Sequence, residues 1–324
     1  MKAFVTGGTG FIGSHLADHL IASPDFSEVN CLIRSTEKWL KGKPITPVHG
    51  DLTSVSTLRS ALEGTDTLFH LAGVVSAPTQ KEFHRANVDA TETLLRVAMQ
   101  SRVKNVVVLS SLAAAGPSSG TPKTEDDPAE PVSMYGKSKL QMEEMIRKLA
   151  PEHDMSVKIL RPPAVYGPRE DQIYTLFRLM KYGIAPMVGN GQNPKLSIVY
   201  VTDIVRGIMD AARLNRPGVH TYFVSGQITC WQQIKEITDT VLGKRSLALR
   251  LNPSLVKKVA GTIETTATLF GSYPVVNRDK AREMILEWTC STQRAQQELG
   301  YKPDVSLEEG ISKTLHWYKQ HNWL

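Results

Sequence analysis

The hydrophobic residues of this chain follow two alternating patterns over its first half. Short, uninterrupted apolar runs are typical of strands that are buried on both faces. They occur at Lys2–Thr6, Val29–Ile33, Thr67–Leu71, Val106–Leu109 and Val157–Leu160. Segments with apolar residues at helical spacing alternate with them, near 12–21, 54–62, 87–99 and 135–149. Strands that alternate with helices predict right-handed βαβ units, so we expect an α/β fold with a doubly wound, mostly parallel sheet.

The second half of the chain has a less regular pattern. Loops rich in Gly and Pro occur at 183–194 and around Pro253, and helical spacing returns near 203–212 and 307–319. The 324 residues are roughly twice the ~150 expected of one domain, so two intimate domains fit the length. We predict a first domain over residues 1–165 and a smaller, interleaved C-terminal lobe over 166–324. A segment at about 196–215 is expected to return to the first domain.

Composition and charge exclude several classes of protein. Hydrophobic residues make up 41% of the chain and charged residues 22%, which is ordinary for a globular protein and argues against intrinsic disorder. The formal net charge is +6, but the basic residues are scattered and form no block of the nucleic-acid-binding type. The excess of positive charge suits an anionic small ligand, and we expect no nucleic-acid partner.

Cysteine usage and hydropathy bear on the compartment. Cys31, Cys230 and Cys290 are widely spaced and form no CxxC pair, so neither a disulfide framework nor a zinc site is expected. The long uncharged stretch at 105–122 is interrupted by glycine and proline, which a membrane span tolerates poorly. A glycine loop begins at Gly7, where a signal peptide would have its apolar run. We therefore predict a cytoplasmic protein without a membrane span.

A glycine-rich loop follows the first strand. It has the sequence TGGTGFIG and places Gly7, Gly10 and Gly13 at a strand-to-helix junction, with the spacing of a dinucleotide site rather than of a P-loop. One glycine permits the tight turn, one lets a pyrophosphate approach the backbone and one allows close packing, while the helix start with Phe11 and Ile12 faces the anion. The alternative is a tight turn without a ligand. The position after the first strand favours a Rossmann-type dinucleotide domain, which leaves the second lobe to bind substrate.

The end of the second strand bears on the choice between NADP and NAD. Sites for NAD usually present an acidic residue about 20 residues after the glycine loop, whereas Ile33 and Arg34 stand there. The Arg34 guanidinium is suited to charge-assisted hydrogen bonds with a 2′-phosphate. NADP is therefore favoured over NAD, and stacking over the adenine is the alternative role for Arg34. Asp51 and the adjacent Leu52 are predicted to contact the adenine, with a helix-capping turn as the alternative for Asp51.

Tyr135 and Lys139 lie one turn apart on the same face of a predicted helix. A free tyrosine has a pKa near ~10, and a cation within ~4–6 Å lowers such a pKa by ~1–3 units. The spacing predicts a tyrosine tuned for general acid–base work, and the alternative is an unrelated pair on an amphipathic surface. Ser110 and Ser111 follow another strand at its carboxyl end, where ligands bind in open α/β sheets. We expect Ser111 to polarise a carbonyl, with Ser110 as the alternative.

Four features of the chain together resemble one family. They are the TGGTGFIG loop, Ser110-Ser111, the motif Tyr135-Gly-Lys-Ser-Lys139 and the segment Arg161-Pro-Pro-Ala-Val-Tyr-Gly-Pro168. The combination is similar to the extended short-chain dehydrogenase/reductase family, also called the NAD-dependent epimerase/dehydratase family, across essentially the whole chain. Further matches are His70-Leu-Ala-Gly73, Asn87-Val-Asp-Ala-Thr91 and Val199-Tyr-Val-Thr-Asp203.

The resemblance implies roles for individual residues. Tyr135 would be the catalytic acid/base, and Lys139 would bind the nicotinamide ribose and tune Tyr135. Ser111, which matches the second serine of the family's segment, would orient the substrate oxygen, and Asn87 would support the proton relay. The other residues implied to contact the cofactor are Leu71, Ala72, Gly73, Pro162, Ala164 and Val165. A homodimer packed through the helices that carry Asn87 and Tyr135 is also implied.

Two positions separate substrate classes within the family. Members that act on nucleotide sugars usually carry an asparagine before the Val-Tyr-Gly step and an arginine before the Val-Tyr-Val-Asp segment. This chain has Ala164 and only Lys195 there, and lysine lacks the bidentate fork of arginine. The chain therefore resembles the dihydroflavonol-reductase and 3β-hydroxysteroid-dehydrogenase-like branch.

That branch implies an NAD(P)-dependent oxidoreductase that interconverts a secondary alcohol and a ketone on a bulky, largely apolar small molecule. One alternative is a nucleotide-sugar epimerase or dehydratase that uses bound NAD. A second alternative is a non-catalytic NADP-binding regulatory protein.

Two other patterns carry less chemistry. His15 and His19 are four residues apart on the first helix, but the sequence HSHLADH lacks the glutamate of an HExxH zinc site, so we expect solvent-facing histidines and no metal. The stretch 247–270 has apolar residues at helical spacing, including Val259 and Ile263. A core face is the favoured interpretation of this stretch, and a lipid-binding groove is the alternative.

Overall fold

The computed structural model describes residues 1–150, 154–269 and 278–324. The strands in these ranges are β1 Lys2–Thr6, β2 Glu28–Ile33, β3 Thr46–His49, β4 Thr67–His70, β5 Asn105–Leu109, β6 Ser156–Arg161, β7 Ala164–Tyr166, β8 Ile184–Val188, β9 Leu196–Tyr200, β10 Gly218–Phe223, β11 Gln227–Thr229 and β12 Leu247–Leu251. The helices are α1 Phe11–Ala22, α2 Val55–Leu62, α3 Gln80–His84, α4 Ala90–Gln100, α5 Leu112–Ala115, α6 Met134–Leu149, α7 Gln172–Lys181, α8 Val201–Arg213, α9 Trp231–Leu242, α10 Pro253–Leu269, α11 Arg278–Met284, α12 Gln293–Leu299 and α13 Leu307–Gln320. A 3₁₀ turn spans Lys38–Leu40 and a π-helical turn spans Arg85–Asp89.

Seven strands form the central sheet, in the order β3-β2-β1-β4-β5-β6-β10. Every neighbouring pair in this sheet is parallel. The strand order changes direction beside β1, because the chain proceeds outward to β2 and β3 on one side and then continues from β4 on the other. The predicted α/β, Rossmann-type doubly wound sheet is confirmed. In sheets of this kind, ligands bind outside the carboxyl ends of the strands at the point where the order changes direction.

Helices cover both faces of the central sheet, and an apolar cluster fills the space on each side. Leu16 and Leu20 of α1 pack with Ile204 of α8 on one face. Leu58 of α2 and Ile146 of α6 belong to the cluster on the other face. Strands that are buried on both faces carry continuous apolar runs, which is the pattern from which the five main strands were predicted.

Two smaller sheets come from the second half of the chain. One has the order β11-β9-β7, and the other is the parallel pair of β8 and β12. Two elements of this half lie with the first domain, since β10 is the last strand of the central sheet and α8 packs against α1 and β5. The division near residue 165 and the returning segment at about 196–215 stay predictions. The predicted first domain and the predicted returning segment do not include β10.

The helix predicted near 87–99 begins earlier in the structure. The Thr79 hydroxyl caps α3 by accepting a hydrogen bond from the Glu82 amide at 3.2 Å. The chain then stays helical through the π turn into α4. Asn87 lies in that π turn, and turns of this kind are frequent at functional sites.

Candidate active site

The glycine loop between β1 and α1 has no room for side chains at two positions. Gly7 has a φ of +76°, and a Cβ there would lie 2.6 Å from the amide nitrogen of Ala72. A Cβ on Gly13 would lie 2.1 Å from the Gly7 carbonyl oxygen. The Gly10 amide donates to the same carbonyl at 3.0 Å, and no side chain caps the start of α1. Because the first amides of a helix lack intrahelical acceptors, this compact loop fits the phosphates of a dinucleotide, with Phe11 and Ile12 at the helix start.

A buried histidine is hydrogen-bonded to Thr6, the residue that precedes the glycine loop. His70 Nδ1 lies 2.7 Å from Thr6 Oγ1, and His70 Nε2 lies 2.8 Å from Thr91 Oγ1. Burial lowers the pKa of His70 to about 3, so the ring is neutral and joins β1, β4 and α4 by hydrogen bonds alone. The sequence pattern predicts no separate role for His70, although a histidine that ends a buried strand needs such partners. Leu71 and Ala72 follow directly, and both are half-buried.

Exposed cations follow β2. Arg34 comes directly after this strand, and Lys38 and Lys41 lie in and after the 3₁₀ turn. All three side chains are largely open to solvent, and none forms a salt bridge within the described part of the chain. Of these three cations, Arg34 alone was predicted to bind the cofactor. The structure adds two lysines, so three positive charges are available near the carboxyl end of β2.

Asp51 forms a turn rather than an open hydrogen-bond acceptor. Its Oδ1 accepts hydrogen bonds from the amide of Thr53 at 2.8 Å and from its hydroxyl at 2.5 Å, and from the Ser54 hydroxyl at 3.3 Å. The Thr53 hydrogen bonds lower the pKa of Asp51. This geometry matches the capping turn before α2 that was the alternative for Asp51. Leu52 packs against the apolar cluster under α2.

Tyr135 stands in the first turn of α6. Ser133 caps the helix, because its hydroxyl accepts a hydrogen bond from the Gly136 amide at 3.1 Å. Burial raises the pKa of Tyr135 to about 12, and the hydrogen bond with the Ser111 hydroxyl opposes that rise. The predicted lowering of this pKa by Lys139 is therefore wrong. Lys139 has a different hydrogen-bond partner, because its Nζ donates to the Leu109 carbonyl at 2.9 Å.

Lys139 is almost fully buried beside Gly73 and Asn87. Burial lowers the pKa of Lys139 to about 8, against the opposing charge of Glu143. A Cβ on Gly73 would lie 3.2 Å from both Lys139 Nζ and Asn87 Oδ1. The structure therefore brings the predicted lysine, asparagine and glycine together at one place.

Asn87 holds the loop after β4 against α6. Its Oδ1 accepts a hydrogen bond from the Val74 amide at 2.8 Å, and its Nδ2 donates to the Val74 carbonyl at 3.1 Å. The same amide nitrogen donates to Ser138 Oγ at 3.0 Å. Asn87 thus fixes the distance between Gly73 and the helix that carries Tyr135.

The two serines after β5 point to different partners. Ser110 is buried and donates to Glu143 Oε1 at 2.6 Å. Ser111 caps α5 by accepting a hydrogen bond from the Ala113 amide at 3.1 Å, and it lies near enough to the Tyr135 phenol to lower the pKa of that group. Ser111 is thus the serine that the structure places beside Tyr135.

A buried ionic network lies behind these groups. Glu143 is fully buried and accepts hydrogen bonds from Arg161 Nε at 2.9 Å and Nη2 at 2.6 Å, and from Arg147 at 3.0 Å. Two carboxylates of α11 reach the start of α6. Asp279 accepts from the Met134 amide at 2.8 Å, and Glu283 from the Ser133 hydroxyl at 2.6 Å. Sequence reasoning missed the Glu143 network and the α11 contacts. The only sign of the Glu143 network in the sequence is Glu143 itself, two turns after Tyr135 on the buried face of the helix.

The segment after β6 lies next to the serine loop. The Pro162 carbonyl accepts a hydrogen bond from the Leu112 amide at 2.8 Å, directly after Ser111. Ala164 is exposed at the start of β7, and Val165 is half-buried and pairs with Val199 of β9. Pro162 therefore adjoins the serine loop, and the cofactor contacts that the family resemblance implied for residues 162–165 stay a prediction.

Two sequence interpretations need correction. His15 is not solvent-facing, because its Nε2 lies 2.9 Å from the Pro168 carbonyl and burial lowers its pKa, whereas His19 is exposed. Within the stretch 247–270, residue 270 lies outside the described residues, but Val259 and Ile263 are exposed and form no core face.

In the described ranges, no three His, Cys, Asp or Glu side chains are grouped to hold a metal, and no helix is long and apolar enough to cross a bilayer.

Residues 3–224 match the NAD dependent epimerase/dehydratase family, and the chain belongs to that family. It is 27% identical over 325 residues to a ceramide reductase of Caulobacter vibrioides, a match that covers 99% of this chain and 95% of that protein. It is 26% identical over 328 residues to a 4-hydroxy-2-methyl-3-oxo-4-farnesyl-3,4-dihydroquinoline-1-oxide ketoreductase of Stigmatella aurantiaca, covering 96% and 95%.

Solved structures show the same architecture. The dTDP-glucose 4,6-dehydratase DesIV from Streptomyces venezuelae, with NAD and TYD bound, is 27% identical and has a TM-score of 0.81. The match covers 100% of this chain and 98% of that one. The relatives of this chain thus include reductases as well as nucleotide-sugar enzymes, which leaves its substrate and reaction to be argued from the site.

Proposed function

We propose that this protein is an NADP(H)-dependent oxidoreductase that interconverts a ketone and a secondary alcohol on a bulky, largely apolar small molecule. The observation that carries the proposal is the nearness of the Ser111 hydroxyl to the Tyr135 phenol, whose pKa it lowers, on a helix that carries Lys139 one turn later. General acid–base catalysis needs a proton donor within hydrogen-bond reach of the reacting oxygen, and these two hydroxyls define where that oxygen lies.

The protonation states favour ketone reduction. A Tyr135 pKa of about 12 keeps the phenol protonated at neutral pH, so it is ready to donate its proton to a forming alkoxide. Ser111 would orient the carbonyl oxygen toward that proton. Lys139, with a pKa of about 8, is mostly charged at neutral pH and would hold the nicotinamide ribose beside Asn87 and Gly73. The bound nicotinamide would supply the hydride.

Cofactor choice is proposed to depend on the cations after β2. Arg34→Ala is expected to weaken NADP⁺ binding ten- to a hundredfold, about 1.4–2.8 kcal/mol, and to change NAD⁺ binding little. The physical reason is the loss of charge-assisted hydrogen bonds to the 2′-phosphate. Calorimetry with both dinucleotides measures the difference, and Arg102→Ala, an exposed arginine at the amino end of β5, is the control. A wild-type preference of tenfold or more for NAD⁺ would contradict the proposal.

The substrate class is proposed from two positions. Ala164 offers no amide, and Lys195 is exposed and carries a single point charge, so neither provides the bidentate hydrogen bonds that a sugar-linked diphosphate needs. The likeness to DesIV, which holds NAD and TYD, favours the rival nucleotide-sugar activity. The two hypotheses therefore differ in which ligands bind this chain.

A thermal-shift screen decides between these substrate classes. We expect NADPH to raise the melting temperature clearly, apolar ketones to raise it further, and UDP- and TDP-sugars to leave it unchanged. A Kd below about 100 μM for any nucleotide sugar would favour the epimerase or dehydratase, because Lys195 alone cannot hold a diphosphate that tightly. Turnover of any ketone with a matching fall in NADPH absorbance excludes the non-catalytic alternative. The homodimer stays a prediction, which the solution mass from light scattering tests.

A further inference from the structure

An apolar surface lies open on the outer side of the β8–β12 pair. Leu247 is 75% exposed and Tyr182 is 67% exposed, and Leu179, Ile184 and Leu249 are each more than a third exposed. We call these five residues the β8–β12 face. Single exposed apolar residues are ordinary, but three large ones on one small sheet, with two more at the end of the helix that leads into it, mark an interaction site.

Strand alternation explains why this face points outward. Leu247 pairs with Ile184, and Leu249 pairs with Pro186 two residues on, so these side chains share one side of the sheet. Ala185 and Met187 alternate with them and are buried. The pair of strands therefore has one side packed on the protein and one apolar side that stays exposed at Ile184, Leu247 and Leu249 and is covered toward Val188.

Unpaired positive charges surround the face. Four exposed basic side chains lie beside it on the same two segments, namely Arg178, Lys181, Lys244 and Arg245, whereas Arg250 alternates with Leu249 toward the other side of the sheet. Neither segment, 178–185 or 243–251, contains an aspartate or glutamate. None of the four forms a salt bridge with a carboxylate of the described residues. The face is thus apolar at its centre, and exposed cations predominate at its edge, where Glu236 and Asp239 of α9 lie beside Lys244 and Arg245.

We propose that the β8–β12 face binds the surface of an anionic lipid bilayer. A bilayer interface accepts apolar side chains at the headgroup boundary, and anionic headgroups attract nearby Lys and Arg. A second copy of the chain fits less well. In a symmetric dimer the same surface meets itself, so the four cations would face four like charges. Binding of this kind is peripheral and needs no spanning helix.

The face is connected to the catalytic end of the molecule. β12 leads into α10, where Val259 and Ile263 are also exposed. The next described helix, α11, contacts the start of α6 through Asp279 and Glu283. An apolar substrate dissolved in the bilayer would then approach from the side of the active site. This last step rests on the proposed function, whereas the docking does not.

Vesicle co-sedimentation of the full chain tests the docking. We expect binding to vesicles of phosphatidylcholine mixed with phosphatidylglycerol, and at least about tenfold weaker binding to phosphatidylcholine alone. The double variants Leu247→Ser/Leu249→Ser and Lys244→Glu/Arg245→Glu should each lose about tenfold or more in binding. All four side chains are exposed, so the fold should persist, and circular dichroism verifies this.

Matched variants elsewhere provide the controls. Val55→Ser/Ile228→Ser removes two other exposed apolar side chains, which are 42% and 45% exposed, and Lys302→Glu/Lys319→Glu reverses two exposed cations that also lack a salt bridge with a described carboxylate. Both controls should sediment like the wild type. The proposal is overturned if the wild type ignores anionic vesicles, or if the face variants bind as well as the controls. It is also overturned if the Leu247/Leu249 variant instead converts a dimer into a monomer in light scattering. None of these results depends on enzyme activity.

Discussion

Tyr135→Phe is expected to lower turnover by at least about a hundredfold and to leave NADPH affinity nearly unchanged. General acid–base participation contributes typically about 10²–10⁴-fold, and the variant removes only the phenolic hydroxyl that donates the proton. The ring stays, so its contact with the Phe83 ring, with centroids 6.2 Å apart, is kept. The cofactor-contacting residues are unchanged, which is why binding and catalysis should separate.

The comparison needs two measurements on the same preparations. The fall in NADPH absorbance with an apolar ketone gives turnover, and calorimetry gives the Kd for NADPH. Tyr182→Phe is the matched control. It removes the same hydroxyl from an exposed tyrosine directly after α7 and should leave both turnover and Kd unaltered. A Tyr135→Phe protein with wild-type turnover would remove Tyr135 from the mechanism and with it the assignment of Ser111.

Within the central sheet, the strands that sequence reasoning found and those that it missed differ in burial. β1, β5 and β6 are covered on both faces, so their apolar runs are continuous and easily seen. β3 is an edge strand with the sequence TPVH, which is mostly exposed and contains a proline. β10, the other edge, has the mixed sequence GVHTYF. Edge strands need fewer apolar residues, so hydrophobic patterning detects them poorly.

Some features of the candidate site depend on residues that are close in the sequence, and others depend on residues that only the fold brings together. The Tyr135 and Lys139 spacing is set by one helix, so the sequence alone predicts that they share a face. The partners of Glu143 come from β6 and from the loop after β5, and only the tertiary fold brings them together. The pKa of Tyr135 was wrongly predicted for the same reason. It depends on burial and on which way Lys139 turns, and neither is encoded in a five-residue motif.

Glu143→Ala is expected to destabilise the protein by about 3–5 kcal/mol, because it leaves Arg161 buried without its partner. Arg161 is only 4% exposed and directs two nitrogens at this carboxylate. Burial alone would raise the pKa of Glu143, but the Arg161 hydrogen bonds hold it below the usual value. The pair is therefore ionised in the folded state, and its contribution is present at neutral pH and lost only as the pH falls through that lowered pKa. The midpoint of urea unfolding reports the loss.

Two further variants separate the ion pair from ordinary packing. Glu92→Ala breaks an exposed pair with Arg96 on α4 and should cost at most about 0.5 kcal/mol, since solvent screens surface pairs.

The double variant Glu143→Met/Arg161→Met removes both buried charges and should recover most of the stability that Glu143→Ala loses. Its turnover should nevertheless stay low, because Ser110 then has no carboxylate partner and the loop that carries Ser111 is less firmly held against α6. Full recovery of both stability and turnover would show that Glu143 does not position Ser111, and an unchanged unfolding midpoint in Glu143→Ala would show that the buried pair contributes no net stability.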